Sequence, residues 1–219
     1  MPKLTLTFDN GPKVGATDRI LDILEEKGVK ATFFVVGSHL LDPEARALAE
    51  RAHREGHWIG NHTMRHIVPL GLSQDPDHVE KEIAETDRAI GGLHHPDKFF
   101  RPPGKKGFGP HCLSKAALDH CKDNGHTIVF ATNIPRDGEP PYHEWVERAL
   151  AAVRTQEWVV TIVHDRHLVH DMDNLVTFID RARAEGAEFV QEFPDTVLPM
   201  VRGEVRHPID TFVTLPAAG

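Results

Sequence analysis

The sequence predicts an α/β protein, a distorted (β/α) barrel of seven strands. Strand-like runs alternate with helical patterns of roughly 10–15 residues along most of the chain, which favours a parallel sheet closed into a barrel. The runs ATFFVV and VVTIV lack polar alternation, as is typical of strands buried on both faces. Polar residues stand where strand patterns stop, at Asp9, Asn61–His62, Arg101 and His164. Barrels of this kind place their chemistry at the carboxyl ends of the strands.

The first elements show the pattern that the rest repeats. Lys3–Phe8 is rich in β-branched and aromatic residues, and Thr17–Lys27 has apolar residues at helical spacing before Gly28. Ala31–Val36 is a continuous apolar strand. It is followed by a helix at Pro43–Glu55 and a short strand at His57–Asn61. The remaining helices are predicted at Pro76–Ile90, His111–Asp123, Tyr142–Thr155 and Met172–Glu185, and the strands that follow them at Lys98–Arg101, His126–Ala131, Glu157–Val163 and Ala187–Gln191.

A chain of 219 residues fits one domain, predicted here at 1–194. Residues 195–219 contain three prolines and no clear period, so we expect a C-terminal extension that wraps the domain or frays. A formal charge of −8 and a pI near 6.0 give no basic surface, so neither nucleic acid nor an anionic membrane is an expected partner. A small molecule or an oligosaccharide fits better, and the oligomeric state stays open.

The sequence shows no apolar leader and no run long enough to span a bilayer, so we expect a cytoplasmic protein. Cys112 and Cys121 fall in one predicted helix, where nine residues would separate them by about 13 Å. A disulfide requires Cα atoms within about 7 Å, so free thiols are expected.

Two His-x-x-x-His pairs occur, and this spacing can direct two imidazoles at one cation. With sixteen histidines in the chain, about one such pair is expected by chance. We interpret His53 and His57 as the end of an exposed helix. His62 and His66 are the better candidates because they follow a short strand, as Asp9 follows the first one.

Five segments together resemble the motifs of polysaccharide deacetylases, the NodB-homology or carbohydrate esterase family 4 group. The segment at 6–12, LTFDNGP, resembles T-F-D-D-G-P, and NHTMRH at 61–66 resembles H-[ST]-x-x-H. RPPG at 101–104 resembles R-x-P-x-G, IVHD at 162–165 resembles the terminal L-x-H motif, and ATFFVVG at 31–37 resembles the second strand of the family. They occur in the family's order, and the similarity covers roughly residues 3 to 193.

The resemblance implies a hydrolase of carbon–nitrogen bonds other than peptide bonds, which removes the N-acetyl group of an amino sugar or oligosaccharide. It implies a divalent metal, zinc by preference, at His62, His66 and the position of Asn10. Asp9 would be the general base and His164 the general acid, with Arg101 keeping Asp9 ionised. Such a metal polarises the amide carbonyl and lowers the pKa of bound water.

The chain departs from the family pattern at two places. Asn10 is neutral where the family has a metal-binding Asp, which predicts weaker metal binding. A low-affinity site, a metal-independent enzyme, a binding protein without catalysis and an engineered change all remain open. In the fourth motif, D-x-x-D-W, Asp137 is kept as a catalytic candidate and possible partner of Arg101. Ile134 and Gly138 replace the other Asp and the Trp, which suggests a substrate other than a standard long glycan.

Two loops complete the candidate groove. After His164 come Asp165, His167, His170, Asp171 and Asp173, interpreted as a solvated loop with a helix N-cap. His167 is the candidate for a substitute metal ligand. Lys105, Lys106, Gly107 and Gly109 are interpreted as a mobile loop at the border of the groove.

Two alternative functions stay open on the same fold. One is an amidohydrolase of small cyclic ureides or imides with no metal or an altered one. The other is a carbohydrate-binding protein that has lost catalysis.

Overall fold

The computed structural model describes residues 1–73, 76–104, 107–169 and 172–214. Its strands are β1 Lys3–Gly11, β2 Thr32–Val35, β3 Trp58–Asn61, β4 Phe99–Phe100, β5 Leu113–Ser114, β6 Thr127–Ile128, β7 Trp158–His164, β8 Glu188–Val190, β9 Met200–Val201, β10 Glu204–Val205 and β11 Val213–Thr214. Its α-helices are α1 Thr17–Lys27, α2 Pro43–Arg54, α3 Pro76–Val79, α4 Glu85–Ile90, α5 Lys115–Asp123, α6 Glu144–Thr155, α7 Asp165–Leu168 and α8 Asp173–Ala184. A π-helical turn, Glu80–Ala84, joins α3 to α4.

The parallel strands follow the order β6-β4-β3-β2-β1-β7, and β8 pairs with the first residues of β1. The barrel closes between β7 and the segment after β6, where Asn133 and Thr161 form a parallel bridge. Asn133 N donates to Val160 O at 3.0 Å and Ile162 N donates to Asn133 O at 3.1 Å. The predicted distorted barrel of seven parallel strands is confirmed in the described part of the chain.

Local sequence signals fix the helices around this barrel. Helix α1 buries Ile20, Leu21 and Leu24 on one face and ends at Gly28, whose φ of 60° suits glycine. Helix α2 starts at Pro43 after Asp42, whose carboxylate accepts hydrogen bonds from two backbone N–H groups of the first turn. Among the described residues, no helix is both long and apolar enough to cross a bilayer.

Two large apolar clusters fill the molecule. One lies between β1, β2, β7 and the helices α1, α6 and α8. The other surrounds β4 and β6 and includes Val197, Met200, Ile209 and Val213 from the predicted extension. The described part of the extension, 195–214, also pairs β9 with β6 and β11 with β5. It therefore wraps the barrel, while residues 215–219 lie outside the described residues and the boundary at 194 stays a prediction.

Three sequence expectations need correction. The helix predicted at His111–Asp123 begins at Lys115, because Ser114 caps it by accepting from Ala117 N at 3.1 Å. Cys112 therefore lies outside this helix, although both cysteines are free and buried as expected. The first strand continues past Phe8 to Gly11. His57 is buried rather than exposed, and its Nδ1 accepts a hydrogen bond from Ala31 N at 3.1 Å.

Candidate active site

The carboxyl ends of β1, β3 and β7 surround a cavity of about 500 Å³. Asp9 on β1 is in register with His164 on β7, so the two predicted proton-transfer residues share one edge of the barrel. The cavity is lined by Asp9, Asn10, His62, His66, Ile67, Pro69, Pro102, Pro103, Gly104, Gly107, Phe108, Ile134, Arg136, Glu139, Ile162, His164, Arg166 and His167. The structure thus brings together most of the residues that the sequence nominated, on one side of the molecule.

Asp9 is buried and held by Arg101, as predicted. Arg101 Nη1 donates to Asp9 Oδ1 at 2.8 Å and to Thr7 Oγ1 at 2.8 Å. Its other nitrogens donate to the carbonyls of Val129 and Phe130, and its guanidinium lies 4.0 Å from the centre of the Phe34 ring. Burial alone would raise the pKa of Asp9, but the Arg101 charge, with smaller contributions from His62 and His164, holds it below its usual value. Asp9 is therefore an ionised carboxylate at neutral pH.

His62 presents one ring nitrogen to the cavity. Its Nδ1 lies 2.7 Å from the carbonyl of Arg101, which can only accept, so the proton sits on Nδ1 and Nε2 keeps its lone pair. Nε2 lies 3.7 Å from Asp9 Oδ2, and the His66 ring centre is 4.7 Å from that of His62. Burial lowers the pKa of His62 to about 3 and also lowers that of His66. Both rings are therefore neutral, and a histidine has to be neutral to bind a metal through a ring nitrogen.

Asn10 occupies a strained position next to Asp9. The register of β1 against β2 shifts between Asp9 and Gly11, and Asn10 has a φ of 71°. Thr63 and His66 also have positive φ, at 68° and 52°. Such strain concentrates at functional sites. Asn10 Oδ1 is buried without a hydrogen-bond partner among the described residues, so the residues present fit a cation held by this oxygen and the two imidazoles.

Asp137 contacts His164 rather than Arg101, which corrects the predicted pairing. The carboxylate accepts from His164 N at 2.7 Å, and Oδ1 lies 2.8 Å from His164 Nδ1. Burial alone would raise the pKa of Asp137, but the hydrogen bonds from His164 and the nearby His167 ring hold it well below its usual value. In return, Asp137 raises the pKa of His164 against the opposing effect of burial. His164 is thus stabilised as a cation with Nε2 left for a substrate.

Asp137, His164 and His167 also form a cluster whose donor atoms lie within 4.8 Å of one another. This cluster could hold a cation. However, His164 Nδ1 and Asp137 Oδ1 are already bonded to each other, which is the arrangement of an oriented acid rather than of free ligands. His167 lies on the Asp137 side of the cavity, with Nδ1 3.5 Å from Asp137 Oδ2, and its role as a substitute metal ligand stays a prediction.

The loop that carries His62 and His66 is held from the helix between Pro76 and Ile90. Glu82, only 3% exposed, accepts from Arg65 N at 3.0 Å and from Arg65 Nε at 2.7 Å. Asn61 Oδ1 accepts from Thr63 N, and Asn61 Nδ2 donates to Asp87 Oδ1 at 2.6 Å. The two carboxylates therefore fix the loop at both ends.

Asp165 is fully buried behind the site, which corrects its interpretation as part of a solvated loop. Its carboxyl accepts from the Thr17 hydroxyl and lies against Gly11, where a Cβ would overlap it. Burial raises the pKa of Asp165 to about 7. His170 and Asp171 of the same predicted cluster, and Lys105 and Lys106 of the other loop, lie outside the described residues.

A family model of polysaccharide deacetylases matches residues 1–129, more than half of the chain. The chain belongs to the polysaccharide deacetylase family. It is 48% identical over 86 residues to a chitooligosaccharide deacetylase of Rhizobium leguminosarum bv. trifolii, covering 39% of this chain and 38% of that protein. It is 40% identical over 168 residues to a chitooligosaccharide deacetylase of Sinorhizobium fredii, covering 75% and 72%.

The same fold is found in solved polysaccharide deacetylase structures. A family 4 acetyl xylan esterase from Clostridium thermocellum, solved in complex with a cobalt ion, superposes with a TM-score of 0.69. It shares 28% identity, over 85% of this chain and 86% of the other. The alignments with the two Rhizobium leguminosarum relatives cover 38% and 43% of their length.

Within the polysaccharide deacetylase fold, the eroded fourth motif has a local explanation. A Cβ at Gly138 would overlap the His167 ring, so the imidazole fills the space beside a glycine where the family motif has a tryptophan. The His167 ring centre lies 5.0 Å from that of His164. The wall of the cavity is therefore polar at this point.

Two residues that hold the site, Glu82 and Asp87, were not predicted from the sequence. A signal for Glu82 was present, because Val79, Glu82, Ile83 and Thr86 fall at helical spacing and all four are buried. A charged residue on the buried face of a helix is unusual unless it is paired. Asp87 carried no such signal, because only the π-helical turn brings it to the same loop.

Proposed function

We propose that this protein is a metal-dependent hydrolase that removes the acetyl group from an N-acetylated amino sugar or oligosaccharide. One observation carries the proposal: Asp9, held by Arg101, and His164, held by Asp137, face one cavity beside the imidazoles of His62 and His66. This set combines a proton acceptor, a proton donor and metal ligands around a space that admits an amide.

Each protein group has one task in this reaction. Asp9 accepts the proton of the water that attacks the amide carbonyl, because its lowered pKa keeps it unprotonated. His164 Nε2 donates a proton to the amine nitrogen as the C–N bond breaks, because Nδ1 is engaged by Asp137. Arg101 orients Asp9 and, through its carbonyl, also fixes the tautomer of His62.

A divalent cation held by His62, His66 and Asn10 would polarise the carbonyl and stabilise the negative charge that develops on its oxygen. Two imidazoles suit a borderline ion, and we propose zinc, with cobalt as the natural substitute. The cobalt ion in the esterase relative supports a divalent ion in this fold. The relatives named as chitooligosaccharide deacetylases support an acetylated amino sugar as the substrate.

The test is acetate release from a tetramer of β-1,4-linked N-acetylglucosamine by the zinc- or cobalt-loaded protein. Asp9→Asn should lower kcat by roughly two orders of magnitude or more, since the proton acceptor is lost. Binding of the tetramer, measured by calorimetry, should persist. Asp22→Asn, on the outer face of α1, is the matched control and should keep full turnover.

Three outcomes would redirect the proposal. Unchanged turnover in Asp9→Asn rejects the assignment of the base. Tetramer binding without acetate release from the wild-type protein favours a carbohydrate-binding protein. Opening of an allantoin-like ring, with no acetate released from the tetramer, favours the ureide hydrolase.

A further inference from the structure

The cavity carries an unbalanced positive charge. Two of its charged pairs cancel: Asp9 with the buried Arg101, at 2.8 Å, and Glu139 with Arg136, at 3.6 Å. Arg166 also lines the cavity, and among the residues that the structure describes it forms no ion pair with a carboxylate. In a chain of net charge −8, composition alone would favour an Asp or Glu side chain as a partner for Arg166. Its guanidinium is therefore available to something that enters the cavity.

Arg166 is held by its neighbours at one nitrogen only. Its Nε donates to His167 Nε2 at 3.0 Å, and the opposite side of that ring faces Asp137. Gly138 leaves the space that the ring occupies. The contact uses Nε and leaves the two terminal nitrogens of the guanidinium without a partner among the described residues. Arg166 lines the cavity together with His66 and His164, so its guanidinium faces the same space as both sides of the reaction centre.

The metal ligands add to this imbalance. Two imidazoles and an amide, His62, His66 and Asn10, include no carboxylate, and Asp9 is already paired with Arg101. A divalent cation at these ligands would keep more of its charge than one bound by a carboxylate. The metal ligands on one side of the cavity and Arg166 on another therefore both favour a ligand that carries an anionic group.

We propose that Arg166 forms a subsite for a carboxylate on the sugar, so that the preferred substrate is an acidic N-acetylated amino sugar or oligosaccharide. This inference rests on the proposed function, because it names the substrate class of the same site. A guanidinium offers parallel N–H groups that match the two oxygens of a carboxylate. Anchoring through His167 reduces the freedom that Arg166 loses on binding.

A matched pair of ligands tests the subsite. One is the neutral N-acetylglucosamine tetramer, and the other is the same tetramer oxidised to a carboxylate at C6 of one sugar. Affinity is measured by calorimetry and kcat/KM by acetate release, on the zinc-loaded protein. The carboxylated tetramer should bind roughly tenfold more tightly than the neutral one, since hydrogen bonds to charged groups are the stronger kind. The preference should weaken as salt is raised.

Variants identify the residue. Arg166→Gln should bring the ratio of the two affinities close to one, and Arg166→Lys should restore part of it. Arg54→Gln, at an exposed arginine that ends α2 and does not line the cavity, removes the same charge and should leave the ratio unchanged. Equal affinities for the two tetramers in the wild-type protein, or an unchanged ratio in Arg166→Gln, would overturn the inference. Absence of acetate release from both tetramers would instead overturn the proposed function, while the affinities still decide the subsite.

Discussion

At the scale of single residues, Asn10 sets the charge of the cavity floor. Asn10→Asp adds an anion at a position whose present oxygen is buried and unpartnered, so it should tighten a divalent cation roughly tenfold or more. Competition with a chelator measures the affinity. Asn124→Asp, exposed at the end of α5, is the control. An unchanged affinity in Asn10→Asp would mean that position 10 does not face the cation.

The activity of Asn10→Asp need not follow its metal affinity. Without metal, two carboxylates side by side raise the pKa of one of them, and Asp9 is the group that has to stay ionised. A gain in deacetylation would indicate an ordinary family site that lacks one ligand. Tighter metal binding without such a gain would favour a different substrate.

His164 and Asp137 make the pH dependence of the reaction predictable. His164 acts when protonated, and Asp137 raises its pKa, so activity should persist above pH 6.5 and fall as pH rises through the raised value. Asp137→Asn removes the anion that raises the pKa of His164 and should move the alkaline limb of kcat/KM to lower pH. Glu139→Gln changes the same loop without contacting His164 and should leave this limb in place. A limb that stays fixed in Asp137→Asn would assign the proton donor to another group.

The sequence predicted best which residues lie at the cavity, and less well which residues they contact. Asp9, His62, His66, Arg101 and His164 lie at or near the carboxyl ends of strands, and parallel strands bring such ends together. The partner of Asp137 could not be predicted in this way, because it depends on how the chain after β6 returns along β7. The burial of Asp165 depends on Gly11, which approaches it from a strand about 150 residues away in sequence.

At the scale of elements, the π-helical turn between α3 and α4 decides which side chains reach the His62–His66 loop. Glu82 and Asp87 are five residues apart, which places them on different faces of an α-helix of about 3.6 residues per turn. The wider turn at Glu80–Ala84 brings both carboxylates to the same loop. Turns of this kind are frequent at functional sites, and sequence periodicity gives no sign of them.

This helix should therefore control metal affinity without contacting the metal. Glu82→Ala and Asp87→Ala should each weaken zinc or cobalt binding by roughly tenfold or more, because groups that orient metal ligands have effects of this size. The absorption spectrum of the cobalt-loaded protein should change as well, since the ligand geometry relaxes. Glu85→Ala, exposed on the same helix, is the matched control. Wild-type affinity in both variants at an unchanged melting temperature would show that the loop holds its shape unaided.

At the scale of the whole molecule, alternation of strands and helices was sufficient to predict a closed barrel, but not the place where it closes. The barrel closes where Thr132 and Asn133 bond to Val160 and Thr161 of β7, and Thr132 and Asn133 lie outside any predicted strand. The short strands β5, β9, β10 and β11 were also missed, since pairs of two residues leave no periodicity. The free thiols are confirmed, and the cytoplasmic location stays a prediction.

The buried carboxyl of Asp165 makes folding a proton-uptake reaction. Its pKa rises from 3.8 in the unfolded chain to about 7 in the native protein, so the native state binds the extra proton between these values. The Asp165 contribution to stability is complete below pH 3.8 and is lost as pH rises toward 7, by up to roughly 4 kcal/mol. Asp165→Asn cannot ionise. As pH rises from 3.8 to 7, the wild type should therefore lose unfolding free energy relative to this variant, and the difference between the two proteins should stay constant above pH 7. Urea denaturation at a series of pH values measures the difference, and parallel curves for the two proteins would mean that Asp165 titrates normally. The strand end beside His164 has therefore lost this contribution by about pH 7, and more alkaline conditions should loosen it no further.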